Sequence, residues 1–244
     1  MPEGPSIVIL KEFVKELNVE GQTIRKVTGT ADLDIKRMQN QKIITFKTWG
    51  KHFLICFKDF TLRIHLMMFG SYRINSHKES KPKIGFQFEN AEINFYTCAA
   101  NYIEGNLNEV YDWTADIMGK KWNTKNTIEK LKKEPQAMVC DVLLDQQIFA
   151  GAGNIIKNEV LYRTKIQPQS NIRALPAKKL KELVEETKNY AFDFLKWKKA
   201  NTLKKHWEVY SKKVCPQHHK VTKQELGKNK RVSYYCEKCQ KQYN

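Results

Sequence analysis

The chain has 244 residues, with 43 Lys+Arg against 26 Asp+Glu and a formal net charge of +17. That length gives one large domain or two small ones with room for a core, and 41% hydrophobic with 28% charged residues excludes a wholly disordered chain. No apolar run approaches the roughly 18 residues of a membrane span, and no secretory signal is visible, so the expectation is an intracellular protein.

The charge is uneven. Residues 196–244 carry 14 Lys+Arg and 3 Asp+Glu, or +11, which leaves +6 for the first 195. A basic surplus gathered in one segment points to a polyanion, most often nucleic acid.

In chain order, Ile7, Leu10, Val14 and Leu17 recur at near-helical spacing over residues 6–17. From about 22 to 97 the period changes to two. Ile44, Phe46 and Thr48 alternate, then Phe53, Ile55 and Phe57, then Leu62, Ile64 and Leu66, then Ile84, Phe86 and Phe88, and last Ile93 and Phe95. Short alternating runs broken by Gly, Asn, Lys and Pro predict an antiparallel sandwich or barrel. The stretch 103–125 carries weak signals and reads as a link between domains. Helical signals follow. Thr127 can cap a helix through Ile128 and Leu131, and Met138, Val142 and Leu143 suggest a second. Pro176 can open a third that buries Leu180, Leu183, Val184, Thr187, Ala191, Phe194 and Leu195.

Six cysteines stand at 56, 98, 140, 215, 236 and 239. Three are scattered and three crowd the C-terminal end, which is not a disulfide framework. The tail from about 205 is too short and polar for an apolar core of its own, so a metal must hold it. Cys215-Pro216-Gln217-His218-His219 and Cys236-Glu237-Lys238-Cys239 supply two ligand pairs with zinc-ribbon spacing. Thiolate and imidazole suit zinc. Spacing leaves His218 and His219 both open. Between the pairs, Gly227-Lys228-Asn229-Lys230 predicts a hairpin turn, with Arg231 leaving it away from the metal.

The chain opens Met1-Pro2-Glu3-Gly4-Pro5. Removal of Met1 exposes the secondary amine of Pro2. An α-amine with a pKa near 8 is far more nucleophilic at neutral pH than a lysine at about 10.4. Attack on a sugar C1′ gives an iminium that serves as an electron sink for elimination, and Glu3 stands beside it to move protons.

Five motifs occur in one order: Pro2-Glu3-Gly4-Pro5, Gly50-Lys51, His65-Leu66-Met67-Met68-Phe69-Gly70, Ala150-Gly151-Ala152-Gly153-Asn154-Ile155 with Glu159, and the C-terminal finger. Together they resemble the formamidopyrimidine-DNA glycosylase/endonuclease VIII family from end to end. The resemblance implies an α+β protein: an N-terminal antiparallel β-sandwich over residues 1–118, a helix–two-turns–helix domain over 119–204 and a zinc finger hairpin over 205–244. It implies a bifunctional DNA glycosylase and abasic-site lyase, with damaged DNA, duplex or single-stranded, as partner and a structural zinc ion. The expected state is a monomer that stays with the DNA, away from membranes.

Carried over position by position, Pro2 is the Schiff-base nucleophile and Glu3 the acid/base that helps open the deoxyribose ring. Lys51 assists catalysis and touches phosphate. Asn154 binds phosphate beside the lesion, and the glycines around it let the backbone approach closely. Arg231 clamps phosphate across the flipped nucleotide. The target base must leave the stack, and Met68, with help from Phe69, fills the gap as an apolar wedge. Met67 reads as a core residue of a β-strand. The finger looks most like the Cys-His-Cys-Cys branch of endonuclease VIII-like proteins, which selects Cys215, His219, Cys236 and Cys239.

Three departures narrow the branch. Position 6, often acidic in the family, is Ser6. Thr97-Cys98-Ala99-Ala100-Asn101-Tyr102 lacks the arginine pair with which the formamidopyrimidine branch probes the opposite cytosine. Between Asn201 and Trp207 there is little room for that branch's 8-oxoguanine loop. The expectation is an enzyme of oxidised pyrimidines that works by β- and δ-elimination, with a non-catalytic damaged-DNA-binding protein on the same scaffold as the alternative.

Overall fold

A computed structural model describes residues 2–244. They form two compact units, the first ending at Tyr111 and the second spanning Asp112–Asn244.

The first unit opens with α1 (Gly4–Glu16), whose first turn carries Pro5 where a missing N–H costs nothing. Ile7, Leu10 and Val14 of its apolar face are fully buried. Eight strands follow: β1 (Lys26–Gly29), β2 (Thr45–Trp49), β3 (His52–Cys56), β4 (Phe60–His65), β5 (Ser71–Ile74), β6 (Ile84–Gln87), β7 (Glu92–Tyr96) and β8 (Ala99–Glu104). They build two four-stranded antiparallel sheets, in the orders β1-β6-β7-β5 and β2-β3-β4-β8. Both sheets feed one core: Phe46, Phe53, Ile55, Leu62 and Ile64 from one, Ile84, Phe86, Ile93 and Phe95 from the other. The Phe53 and Phe95 rings meet across it at 5.9 Å. This is the sandwich that the period-two runs predict.

Two details differ from the sequence expectation. Ile44 is 56% exposed, and the buried set is Ile43, Phe46 and Trp49. The chain enters β2 only at Thr45, so alternation does not reach back to Ile44. Met67 lies outside any strand, at φ 50° and half exposed, so it is not a core residue.

The stretch read as a link is structured. It holds α2 (Leu107–Val110) and a 3-10 turn at Trp113–Ala115, with Tyr111, Ala115 and Ile117 buried. Asp112 pairs with Lys130 at 2.5 Å, and Ala150 donates to the Ala115 carbonyl, which ties residues after 111 to the second unit.

The second unit contains α3 (Thr124–Lys132), α4 (Val139–Val142), α5 (Asn154–Arg163) and α6 (Ala177–Lys199), then the hairpin β9 (Thr222–Leu226) and β10 (Arg231–Tyr235). The α3 cap is Asn123, whose side chain accepts from Asn126 N–H. Thr127, expected as that cap, lies inside the helix and returns its hydroxyl to the Asn123 carbonyl. α6 buries the anticipated stripe, except that Leu195 is half-buried and Tyr190 joins the core with no exposed surface. α5 is covered nearly all round: every residue from Asn154 to Tyr162 is buried. Such a helix must satisfy its own polar side chains internally, and that requirement shapes the site.

Candidate nucleic-acid interface

In the first unit, Pro2 is half-buried and Glu3, at the N-cap of α1, has no exposed surface. Ser6 N–H donates to the Glu3 carbonyl at 2.8 Å. The Ser6 side chain is 8% exposed, and its Oγ has no hydrogen-bond partner among the described residues.

Lys51 sits in the two-residue turn between β2 and β3, half-buried. Beside it stands a cluster that sequence reasoning did not single out. His52 Nδ1 lies 3.1 Å from the Tyr111 hydroxyl, the His52 and His65 rings meet edge-on at 5.6 Å, and Trp49 packs on Tyr111 at 4.7 Å. Burial, followed by the charges of Arg63, His65 and Lys51, holds the His52 imidazole down to about 4. Burial, then Lys51 and Arg63, lowers His65 in the same way. Both rings are neutral at physiological pH. His65 Nδ1 accepts from Met67 N–H at 3.2 Å, a bond that requires Nδ1 to be unprotonated.

That bond sets the start of the 66–70 loop. Met67, Met68 and Phe69 are 49%, 48% and 79% exposed. Three consecutive large apolar side chains held out to solvent are unusual for a turn. Gly70 closes the loop so tightly that a Cβ there would lie 1.8 Å from the Leu66 carbonyl oxygen.

The second unit holds Asn154, Arg231 and the metal ligands. Asn154 is the first residue of α5, after the Gly151-Ala152-Gly153 turn. The positive end of the helix dipole at such a start favours an anion. Arg231 begins β10, paired with Leu226 across the hairpin. The turn between the strands is Gly227–Lys230, as expected, and Lys228 N–H donates to Asp141 at 3.0 Å.

Cys215, His219, Cys236 and Cys239 bring their ligand atoms within 4.8 Å of one another. Cys215 Sγ lies 3.8 Å from Cys236 Sγ and 3.8 Å from Cys239 Sγ, and His219 Nδ1 lies 3.2 Å from Cys239 Sγ. Zn–S bonds of about 2.3 Å in a tetrahedron place sulfurs about 3.8 Å apart, so the donor set fits that ion in type, number and spacing. His218 is exposed, at φ 59°, outside the cluster. Among the described residues, the apolar cluster around the ligands is small: Tyr162, Val209 and Val221, with Tyr234 at the edge.

Three buried residues of α5 gain importance from the structure. Glu159 accepts three backbone N–H bonds, from Glu208 at 2.8 Å, Val209 at 3.0 Å and Tyr210 at 2.7 Å. Burial pushes its carboxyl up, against the pull of those donors. Lys157 and Asn158 contact β10 directly. Sequence reasoning carried Glu159 only as part of a motif and missed the other two. The available signal was the i, i+3, i+4 spacing of Asn154, Lys157 and Asn158 on one helical face.

Residues 1–99 match the family model of the formamidopyrimidine-DNA glycosylase N-terminal domain, and residues 114–203 that of the formamidopyrimidine-DNA glycosylase H2TH domain. Endonuclease 8-like 3 of Mus musculus is 33% identical, aligned over 99% of this chain and 47% of its own. Endonuclease 8-like 2 of Bos taurus is 30% identical over 73% of this chain and 58% of its own. The chain thus spans about half the length of these curated relatives. Lactococcus lactis formamidopyrimidine-DNA glycosylase, solved bound non-covalently to DNA containing an abasic site, superposes with a TM-score of 0.85 at 20% identity, covering 98% of this chain and 100% of that one. A viral DNA glycosylase gives 0.84 at 20% identity, with the same coverage. These two share the fold. With both domain models matched in sequence order, the chain belongs to the formamidopyrimidine-DNA glycosylase/endonuclease VIII family.

Proposed function

We propose that this chain is a base-excision-repair DNA glycosylase with abasic-site lyase activity, acting on oxidised pyrimidines through a Schiff base at Pro2. The observation that carries the reading is the Pro2-Glu3 pair at the head of α1, with Glu3, next in the chain to Pro2, wholly buried, in a chain of this family. Met1 lies outside the described residues, and the chemistry requires its removal.

In this mechanism the target nucleotide leaves the stack and Met68, supported by Phe69, enters the gap. The Pro2 nitrogen attacks C1′. The glycosidic bond breaks, its electron pair leaves with the base, and the base takes up a proton. Glu3 protonates O4′ as the ring opens to the iminium. Loss of a C2′ proton expels the 3′ phosphate, and loss of a C4′ proton then expels the 5′ phosphate. Lys51 assists catalysis and touches phosphate, while Asn154 and Arg231 hold phosphates and do not enter the covalent steps. Cys215, His219, Cys236 and Cys239 would hold a zinc ion, which would fold the finger that carries Arg231 and take no part in the covalent steps.

Two features support the pyrimidine branch. The β7–β8 connection is only Thr97-Cys98, with no arginine pair. From the end of α6 at Lys199 the chain passes at once into a 3-10 turn at Leu203–His206, which leaves no extended base-capping loop.

The test is borohydride trapping on oligonucleotides bearing an abasic site or thymine glycol, with Met1 removal checked by intact mass. Met1-free wild type forms a covalent adduct, whereas protein that retains Met1, with the Pro2 nitrogen tied up in a peptide bond, does not. An adduct that forms equally with Met1 retained refutes the nucleophile. No adduct from Met1-free wild type that still binds abasic DNA leaves the non-catalytic binding protein.

A further inference from the structure

β10 is the edge of a two-stranded sheet, and a lone hairpin is marginal in water. Two groups of its outer edge are nevertheless held by side chains of α5. In an antiparallel pair, alternate residues direct their N–H and C=O away from the partner strand, and on β10 these are Val232 and Tyr234. The Val232 carbonyl accepts from Asn154 Nδ2 at 2.9 Å and from Lys157 Nζ at 3.2 Å. Tyr234 N–H donates to Asn158 Oδ1 at 2.8 Å. Lys157 Nζ also bonds Ser233 Oγ at 2.9 Å, and neither Lys157 nor Ser233 has any exposed surface. One polar face of α5 thus takes the place of a third strand.

A fully buried ammonium is costly and persists only where its donors are used. What Lys157 holds is the carbonyl of Val232, the residue that follows Arg231. The same carbonyl is held by Asn154, the residue that opens α5. The start of the helix and the start of the finger strand are therefore joined through one oxygen.

We propose that Lys157 is a positioning residue that sets Arg231 at a fixed distance from the α5 N-terminus, so that the two grip DNA phosphates as one unit. This rests on the DNA-binding reading above. Lys157 does not touch DNA. It acts by keeping β10 in register with α5, and its loss lets the arginine move off its phosphate.

The test compares Lys157→Met, Arg231→Ala and the double variant in the full-length, zinc-loaded protein. Binding to abasic-site duplex is measured across a salt series, with metal content checked in every variant. Removing one phosphate contact lowers the slope of log affinity against log salt by about one. K157M is expected to lose about tenfold in affinity and about one unit of slope, as R231A does, with zinc retained. The double variant is expected to be no weaker than R231A. Losses that add in full, or an unchanged slope in K157M, overturn the proposal. If K157M does not keep its zinc, Ser233→Ala carries the test: the same non-additivity with R231A supports the proposal, and a wild-type slope overturns it. If R231A itself binds like wild type, the phosphate clamp fails and this inference falls with it, a result distinct from additivity.

Discussion

Acidification should weaken the first unit through His52, and His52→Phe should remove that sensitivity. Burial, with Arg63, His65 and Lys51 adding to it, holds this imidazole down to about 4 in the folded protein, against about 6.5 in an unfolded chain. A base whose folded pKa is depressed binds its proton more readily when unfolded. Its neutral form therefore costs nothing above about pH 6.5, and stability is lost as pH falls from there toward 4. The difference, 6.5 − 4, is about 2.5 units, and at about 1.36 kcal/mol each it gives about 3 kcal/mol at the limit, or about 2.5 kcal/mol by pH 4.5. Phenylalanine keeps a ring against Trp49 and Tyr111 but gives up the bond to the Tyr111 hydroxyl, worth about 1 kcal/mol at neutral pH. Urea denaturation followed by tryptophan fluorescence at pH 7.5 and 4.5 reads both effects. Wild type should be the more stable by about 1 kcal/mol at the higher pH, and the variant by about 1.5 kcal/mol at the lower. His65, shifted in the same direction, titrates in both proteins and cancels in the comparison. Parallel pH profiles for the two proteins would refute the reasoning.

Three further outcomes are expected. His219→Ala should reduce metal content from one ion per chain to near none, with loss of the Co(II) thiolate absorption, whereas His218→Ala should bind as wild type; the reverse pattern would assign the other histidine. Glu159→Gln keeps the shape but sets an amide N–H against backbone N–H donors at 2.7–3.0 Å, and should destabilise the second unit by about 3 kcal/mol in urea denaturation; a change under about 1 kcal/mol would show that the 208–210 backbone does not need the carboxylate. Gly70→Ala should cost at least 2 kcal/mol or displace the 66–70 loop, since its Cβ would strike the Leu66 carbonyl oxygen; wild-type stability together with wild-type abasic-DNA affinity would contradict that packing.

Where a residue's chemistry agrees with its place, the sequence was readable. Leu62, Ile64, Ile84, Phe86, Ile93 and Phe95 alternate because one face of each strand meets a shared core, and all six are buried. Pro176 stands at the N-cap of α6, where its fixed φ and missing N–H are tolerated. Reading failed where context overrides local pattern. Thr127 is a good cap by type, but Asn123 captures the helix start and leaves the threonine to be buried. Met67 looks like a core methionine because periodicity cannot see that the strand has ended at His65. At the site, Pro2, Glu3, Asn154 and the cysteines were legible as motifs. His52 and Lys157 were not, because a histidine in a strand and a lysine in a helix are ordinary surface residues until burial makes their partners matter.

The finger illustrates why such residues escape a motif search. A hairpin with so small an apolar cluster must be fixed by points along its length, and three kinds of bond supply them. At the end nearest Cys236, four ligand atoms converge to take a metal ion. In the middle, Asn154, Lys157 and Asn158 pair the outer edge of β10. At the turn, Asp141 takes Lys228 N–H and lies so close to Gly227 that a Cβ there would fall 2.1 Å from its Oδ1, at φ +77°, where a side chain would be strained in any case. Only the first of these has a spacing that names its chemistry in the sequence; the i, i+3, i+4 spacing of Asn154, Lys157 and Asn158 marks a shared helical face but not what that face meets. Arg231 lies between the turn and the α5 contacts, not beside the metal, from which the five residues of β10 separate it by about 17 Å of extended chain. Metal binding can therefore fold the hairpin, but it cannot by itself set where the arginine points; that direction is fixed by buried polar groups of a helix far away in sequence.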